Sequence, residues 1–322
     1  MKAVFLPLFA VLLLALPARA EIVLTLGHAV SADHPRAQAS QHFADTLKRR
    51  SGGRITVDVL GGASFGDDVA MLKALQDGSL DISANSQGPL SAFVPEINAF
   101  GLPFLFDRPE QAQRLLDGPL GEHLSRRMAQ AGFVALGFWD NGIRHFSNSV
   151  RPLLKPADFV GLRFRTPADP VAVDIVRALG AQAVEIRFSA LYQALQRRTV
   201  DGQENPLINF HAARLHEVQT HLSLTAHKYE ITPFVMSRRA WNALSTADRD
   251  MLRTVASEST RHQRALTRKA EEDAYQALRT SGIQISRISR PAFVAATRPI
   301  YKKWIADPAG AYIRQVVEAA DE

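Results

Sequence analysis

The sequence predicts an α/β protein made of two rounds of strand–helix alternation and one unusually long helix. Three observations carry this. Strand-like and helix-like segments alternate twice along the 322 residues. Residues 241–281 contain neither Gly nor Pro. The length allows two domains of about 150 residues, each with a sizeable core.

The elements follow in order. The first twenty residues read as a secretory signal peptide cut after Ala20. It has a basic start at Lys2, an apolar run over 5–16 broken only by Pro7, and the small-x-small pattern Ala18-Arg19-Ala20. That run is too short for about 30 Å of hydrocarbon. No Cys exists for lipid attachment, and no later segment approaches eighteen apolar residues. The mature chain is therefore expected to be exported, without direct membrane insertion. The first round then opens with a strand at 22–28 and a polar helix at 35–50. A β-branched alternating strand follows at 55–60, then a helix at 69–76 after the N-cap candidates Asp67-Asp68, and a short strand at 80–83.

The second round has a strand at 133–139, a break near 140–145, and strands at 145–147 and 162–165. A helix at 170–179 closes on Gly180 and leads to a strand at 183–186. Ser189 then caps a helix running to Arg197, and the next strand begins at 199–204. Ser245-Thr246-Ala247-Asp248 supplies an N-terminal cap for the Gly- and Pro-free stretch. One helix over 245–281 would be about 55 Å long. Two readings stand here: two helices with a bend, or one helix bridging both lobes, which its sparse apolar stripe suits.

Composition narrows the function. With 46% hydrophobic and 22% charged residues, disorder, collagen and coiled coil are excluded. The absence of Cys removes disulfides, thiolate nucleophiles and iron–sulfur clusters. Loss of Lys2 and Arg19 with the signal peptide takes the formal charge from +6 to +4. The basic residues are spread out, with no aromatic–basic alternation, so no nucleic-acid partner is expected. A modest positive field suits a small anionic ligand. No Gly-x-Ser-x-Gly, Gly-x-Gly-x-x-Gly or phosphate loop occurs. His216 and His221 stand at i and i+5, about 140° apart on a helix, so they read as polar residues of a surface helix rather than a metal pair. No enzyme, metal or cofactor is expected.

Three runs gather polar groups at strand ends: 139–145, 161–167 and 201–206. Ligands of open α/β folds bind outside strand C-terminal ends. Arg165 sits at such an end, with Pro167 stopping the strand. Two readings apply to it. Its guanidinium either pairs with an internal acid such as Glu204 or receives a ligand carboxylate on its planar fork.

The runs Phe65-Gly66-Asp67-Asp68-Val69-Ala70-Met71-Leu72, Gly161-Leu162-Arg163-Phe164-Arg165 and Asp201-Gly202-Gln203-Glu204-Asn205-Pro206 resemble those of the DctP-type solute-binding proteins of TRAP transporters, in order and spacing over essentially the whole mature chain. The resemblance implies an α/β, two-lobed periplasmic binding protein fold with a long helix spanning both lobes. Lobe I would take 21–141 plus 231–265, lobe II 142–230 plus 266–322, and the bridging helix 245–281. It also implies a periplasmic receptor, a small organic acid as ligand and TRAP membrane subunits as partners. Arg165 would clamp the carboxylate, Arg144 assist it, and Asn205, Phe188 and His227 line the pocket. Asp68 and Ser86 match cleft-facing positions of the other lobe.

Departures from the family's branches bear on the ligand. The sialic-acid branch carries an acid where this chain has Ser86 and a small residue where it has Arg187. The Trp139-Asp140-Asn141-Gly142 run looks like the dicarboxylate branch, and His145, Arg187 and His227 are bases for a second carboxylate. The alternatives are solvated strand ends for His145 and Arg187, and a core position for His227 and Phe188. A C4-dicarboxylate leads the expected ligands, with sugar, keto and aromatic acids as alternatives. Receptors of the ABC class and hydrolases or lyases of carboxylic acids are the rivals. A continuous bridging helix separates the first, and turnover of the acid the second.

Overall fold

The computed structural model describes residues 21–320. The expected signal peptide lies outside them. The strands are β1 (Ile22–Gly27), β2 (Ile55–Leu60), β3 (Ile82–Ala84), β4 (Phe133–Asn148), β5 (Arg163–Thr166), β6 (Gln182–Glu185), β7 (Gly202–Pro206), β8 (His221–Ser237) and β9 (Gln284–Arg287). The helices are α1 (Pro35–Arg50), α2 (Asp68–Asp77), α3 (Gln87–Leu90), α4 (Pro109–Leu116), α5 (Pro119–Gln130), α6 (Pro170–Ala178), α7 (Leu191–Gln196), α8 (Leu207–Ala212), α9 (Arg238–Ala243), α10 (Thr246–Thr280), α11 (Arg290–Ile305) and α12 (Gly310–Ala320).

The strands join in the order β2-β1-β3-β8-β4-β7-β5-β6, with β9 on β8. β1 pairs in parallel with β2 and β3, and β5 with β6 and β7, as the two alternation rounds require. β4 and β8 are the exception. They are antiparallel and span the sheet from end to end. β3 joins one end of their ladder, at residues 234–236 of β8, and β7 joins the other, at residues 144–148 of β4. The sheet thus has two halves threaded by two long strands.

The expected break at 140–145 is a correction. Residues 133–148 form one strand, and Asp140-Asn141-Gly142 is absorbed as a register shift rather than a turn. Gly142 takes φ 120°, a conformation closed to side chains, which lets the strand bulge and continue. The long β8 was not anticipated, because its polar run Thr225-Ala226-His227-Lys228 hides the alternation. β7 starts at Gly202 rather than Thr199, and Ser189 caps nothing: it lies in a 3₁₀ turn (Phe188–Ala190) before α7.

α10 is one continuous helix of 35 residues, so the bent reading fails. Ser245 accepts from the Asp248 amide at its start, as the sequence implies. Leu252, Val255 and Ala256 pack with Phe43, Leu47 and Trp139 in the first half, and Ala274 and Leu278 with Leu191, Leu195 and Phe210 in the second. Between these cores its buried face is polar. Gln263 accepts the Asp140 amide and donates to the Asp140 carbonyl, both at 2.8 Å. After α10, α11 packs on α6, whereas α12 lies against α4 and the 3₁₀ turn Pro95–Gly101.

Candidate functional site

β5 and β7 run parallel and carry polar side chains to one end of the sheet, where a cavity of about 810 Å³, including its open mouth, is enclosed. Phe164 turns into the core and meets Phe146 and Phe159, so alternation sends its neighbour Arg165 to the other face. Arg163, two residues earlier, stays near solvent and pairs with Asp201 at 3.2 Å. Arg165 is 3% exposed and lines the cavity. Its Nε donates to the Ile186 carbonyl at 2.7 Å, which orients the guanidinium plane. Its two terminal nitrogens form no hydrogen bond or ion pair among the described residues. Burial lowers its pKa to about 10, against the opposing pull of Glu204. The half-buried Phe188 ring lies 6.0 Å from the guanidinium carbon.

The register explains why no acid reaches Arg165. Its partner on β7 is Gln203 and on β6 Val184. Arg144 on β4 has the opposite surroundings. Its directly paired residues are Pro206 and Lys228, so its same-face diagonal neighbours are Glu204 on β7 and Glu230 on β8. Arg144 Nε and Nη1 make short contacts to Glu204 and Glu230, and Nη2 donates to Glu204 Oε1 and to its carbonyl, each at 2.7 Å. Burial alone would lower the Arg144 pKa, but the two carboxylates hold it above its ordinary range. Burial alone would likewise raise Glu204, but Arg144 and His227 hold it well below the usual carboxylate range. Glu204 is therefore allotted to Arg144 and not to Arg165.

The facing wall comes from the first half of the sheet. Arg36, on the first turn of α1, donates from Nη2 to Asn141 Oδ1 at 3.1 Å and to Thr232 Oγ1 at 2.9 Å. Its Nε is buried without a partner. Asp68 opens α2 behind the cap Asp67, whose side chain accepts the Ala70 amide. Asp68 Oδ2 accepts the Ser86 amide at 3.4 Å, while Oδ1 is buried without a partner. Burial raises the Asp68 pKa, with Arg36 opposing. Glu230 Oε1, also on the cavity, accepts no hydrogen bond, although Lys228 Nζ stands 4.0 Å from it.

The two walls meet at two points. His34 caps α1 by accepting the Arg36 amide on Nδ1 at 3.1 Å, so its Nε2–H donates across the gap to Asn209 Oδ1 at 2.7 Å. Gly88 in α3 abuts the 168–169 loop, where a Cβ would lie 2.5 Å from that of Asp169. Only glycine permits this approach.

Of the expected site residues, Arg165, Arg144, Asn205, Phe188, Asp68 and Ser86 line this one cavity. His227 does not. It is 1% exposed, stacks on Phe146 at 4.1 Å, bonds Thr225, and stands 3.4 Å from Glu204 Oε2, so it braces Glu204 from behind. Arg187 lies on the cavity rim, whereas His145 points to the opposite face of β4 from Arg144 and accepts the Ala226 amide. His216 sits in a 3₁₀ turn (Leu215–Glu217) stacked on His211, and His221 begins β8, so neither lies on the expected surface helix. Sequence reasoning missed Arg36, Asn209 and Glu230. A basic residue directly after a His-Pro helix start was the available signal for Arg36. Glu230 offered none, because β8 was not recognised.

Residues 26–307 match the DctP model, described as bacterial extracellular solute-binding protein, family 7. The chain is 44% identical over 292 residues to the uncharacterized protein y4mM of Sinorhizobium fredii, covering 90% of this chain and 54% of that relative, so it spans about half of y4mM's length. It is 31% identical over 317 residues to the C4-dicarboxylate-binding periplasmic protein DctP of Rhodobacter capsulatus, covering 96% of this chain and 94% of the relative. The crystal structure of the sugar acid binding protein DctPAm from Advenella mimigardefordensis, in complex with galactonate, superposes with a TM-score of 0.91 at 31% identity, over 94% of this chain and 98% of that one. No helix among the described residues is long and apolar enough to cross a membrane. An α/β fold of two lobes, a bridging helix and a cavity lined by Arg165 thus stand beside a family match over residues 26–307: the chain belongs to the family 7 bacterial extracellular solute-binding proteins, the DctP-type periplasmic receptors of TRAP transporters.

Proposed function

We propose that this receptor takes a small hydroxylated carboxylic acid of the sugar-acid class, holds its carboxylate on Arg165, and delivers it to a TRAP membrane permease. The observation that carries this is the buried guanidinium of Arg165, fixed through Nε and with its Nη1–Nη2 edge uncommitted on the cavity. An unpaired buried cation is costly, and a carboxylate accepting two parallel hydrogen bonds relieves that cost. Closing the halves around the pair excludes water and strengthens it. Ligand binding then shifts a hinge equilibrium, and the closed shape is what the permease reads.

The hydroxyl part rests on the facing wall. Buried carboxylate oxygens that accept no hydrogen bond, Asp68 Oδ1 and, 4.0 Å from Lys228 Nζ, Glu230 Oε1, call for donors. A polyhydroxy acid brings O–H groups there, whereas a second carboxylate brings only acceptors. The galactonate held by DctPAm has this chemistry. The C4-dicarboxylate expected from the sequence stays as the second reading, favoured by Arg187 on the rim and by the R. capsulatus relative.

A thermal-shift panel of galactonate, erythronate, succinate and malate decides between them. A cognate acid at 100 times its Kd adds about 2.7 kcal/mol of stability. Sugar acids are expected to shift the melting point most, and Asp68→Asn to reduce their shift more than that of succinate. A larger shift from succinate, retained in Asp68→Asn, hands the site to the dicarboxylate. No shift from any acid removes the receptor reading of this cavity.

A further inference from the structure

Glu271 lies on the second-half end of α10 and reaches the corner where β7 turns into α8. Its Oε1 accepts the Leu207 amide at 3.4 Å and its Oε2 the Ile208 amide at 3.3 Å. These are first-turn amides, which a helix cannot satisfy internally. The same carboxyl lies against the bulge in β4: a Cβ on Gly142 would stand 3.7 Å from Glu271 Oε2. One side chain of the bridging helix therefore touches both the corner and the point where the central ladder shifts register.

The corner carries two cavity residues. Asn205 is the last residue but one of β7, and Asn209 sits in α8 and makes the closing contact to His34. The two amides are linked, Asn209 Nδ2 donating to Asn205 Oδ1 at 3.3 Å. Asn209 Nδ2 also reaches Asn141 Oδ1 at 3.2 Å. A shift of the 205–209 corner thus moves the cavity wall and the closing contact together.

We propose that Glu271 is a positioning residue for ligand binding: from the bridging helix it fixes the β7–α8 corner, and through it Asn205 and Asn209, in the arrangement that closes on the ligand. The proposal rests on the reading of this cavity as the ligand site.

A pH dependence follows. Burial of the Glu271 carboxyl pushes its pKa up to about 7, with the two amides opposing the rise. The groups around it are Arg268, Glu272 and Tyr275 on α10, Asp140 and His145 on β4, and Glu110 on α4, and none of them is a cause of the shift. His34 and His145, each lowered to about 3 by burial, stay neutral through this range. A charged carboxylate accepts more strongly than a neutral carboxyl. Ordering the corner around ligand therefore favours the charged form, and affinity rises as pH passes through 7. Unliganded stability runs the other way. A raised carboxyl pKa contributes stability that is full below the unfolded value and lost as pH rises through the folded one.

The test uses the full mature chain, wild type and Glu271→Gln, with D-galactonate as the titrated probe. Wild-type affinity is expected to rise about fivefold from pH 6 to pH 8, the part of a tenfold total that a one-unit fall in pKa on binding, from about 7, delivers over this range. Glu271→Gln should bind more weakly at pH 8 and show no slope, while its unliganded melting point at pH 8 equals or exceeds that of wild type. Hydrogen exchange at the Leu207 and Ile208 amides, measured without ligand at pH 8, should be faster in the variant. A retained slope in Glu271→Gln, a lowered melting point at pH 8, or unchanged exchange at these amides overturns the proposal. A slope abolished by Asp68→Asn instead assigns the titration to the facing wall and also overturns it. If wild type ignores galactonate, the sugar-acid reading fails, and the exchange rates alone decide on Glu271.

Discussion

Arg144 and Arg165 stand on strands separated only by β7, and both are almost wholly buried. Around Arg144 two carboxylates and a backbone carbonyl consume the guanidinium. Around Arg165 a single carbonyl takes one N–H and leaves the far edge open. The chemistry of the two side chains is identical, and the difference lies in which residues the register sets diagonally beside each. A buried cation with its partners in place is a structural brace. A buried cation without them has a cost that only a ligand removes.

The comparison makes predictions of decreasing size. Arg144→Met should cost about 3–5 kcal/mol in a denaturant melt without ligand, because it takes from the buried carboxylates of Glu204 and Glu230 the cation that both share, leaving only His227 beside the one and Lys228, at 4.0 Å, beside the other. A loss under about 1 kcal/mol would erase the distinction between the two arginines. Arg165→Ala should behave in reverse. It is expected to leave the unliganded melt within about 1 kcal/mol of wild type and to abolish the roughly 2.7 kcal/mol of stabilisation by saturating acid. Wild-type binding in that variant would remove the carboxylate clamp.

Acid should weaken the unliganded protein through its buried neutral histidines. Burial lowers His34 and His145 to about 3 and His28 to about 4. A depressed histidine pKa contributes stability that is present above the unfolded value near 6.5 and is lost as pH falls toward the folded one. Between pH 7 and 5 the loss should be about 2 kcal/mol per histidine, with Glu271, raised to about 7, offsetting about as much as one of them. Melting curves that stay flat over this range would contradict the burial of these rings. The smallest effect is expected from His145→Gln. It should change ligand affinity less than about twofold, since the ring faces away from the cavity. A tenfold loss by calorimetry would mean that the β4 alternation does not separate the two faces in solution.

Much of the architecture was legible. The helix starts at Asp67 and Ser245 were readable because capping is a local event between a side chain and an amide three residues on. The strand breaks were less readable. Asp140-Asn141-Gly142 has the composition of a turn, yet pairing with β8 on either side of the register shift, Asp140 opposite Ile231 and Gly142 opposite Glu230, holds it in the sheet. Within the site, alternation correctly sent Arg165 away from Phe164 and into the cavity. It said nothing about His227, whose neighbours are brought in from β4 and β7. Arg36 and Asn209 escaped notice for the same reason, since each acquires its role from a residue more than a hundred positions away.

Local periodicity, caps and the long Gly- and Pro-free stretch were enough to imply an α/β chain with a helix able to cross it, because those signals act over a few residues. The assignment of Glu204 and Glu230 to one arginine, and the freedom of the other, came only with the folded sheet. Ion pairing depends on separations of a few ångströms, and across strands those are set by register, which no single segment of the chain contains.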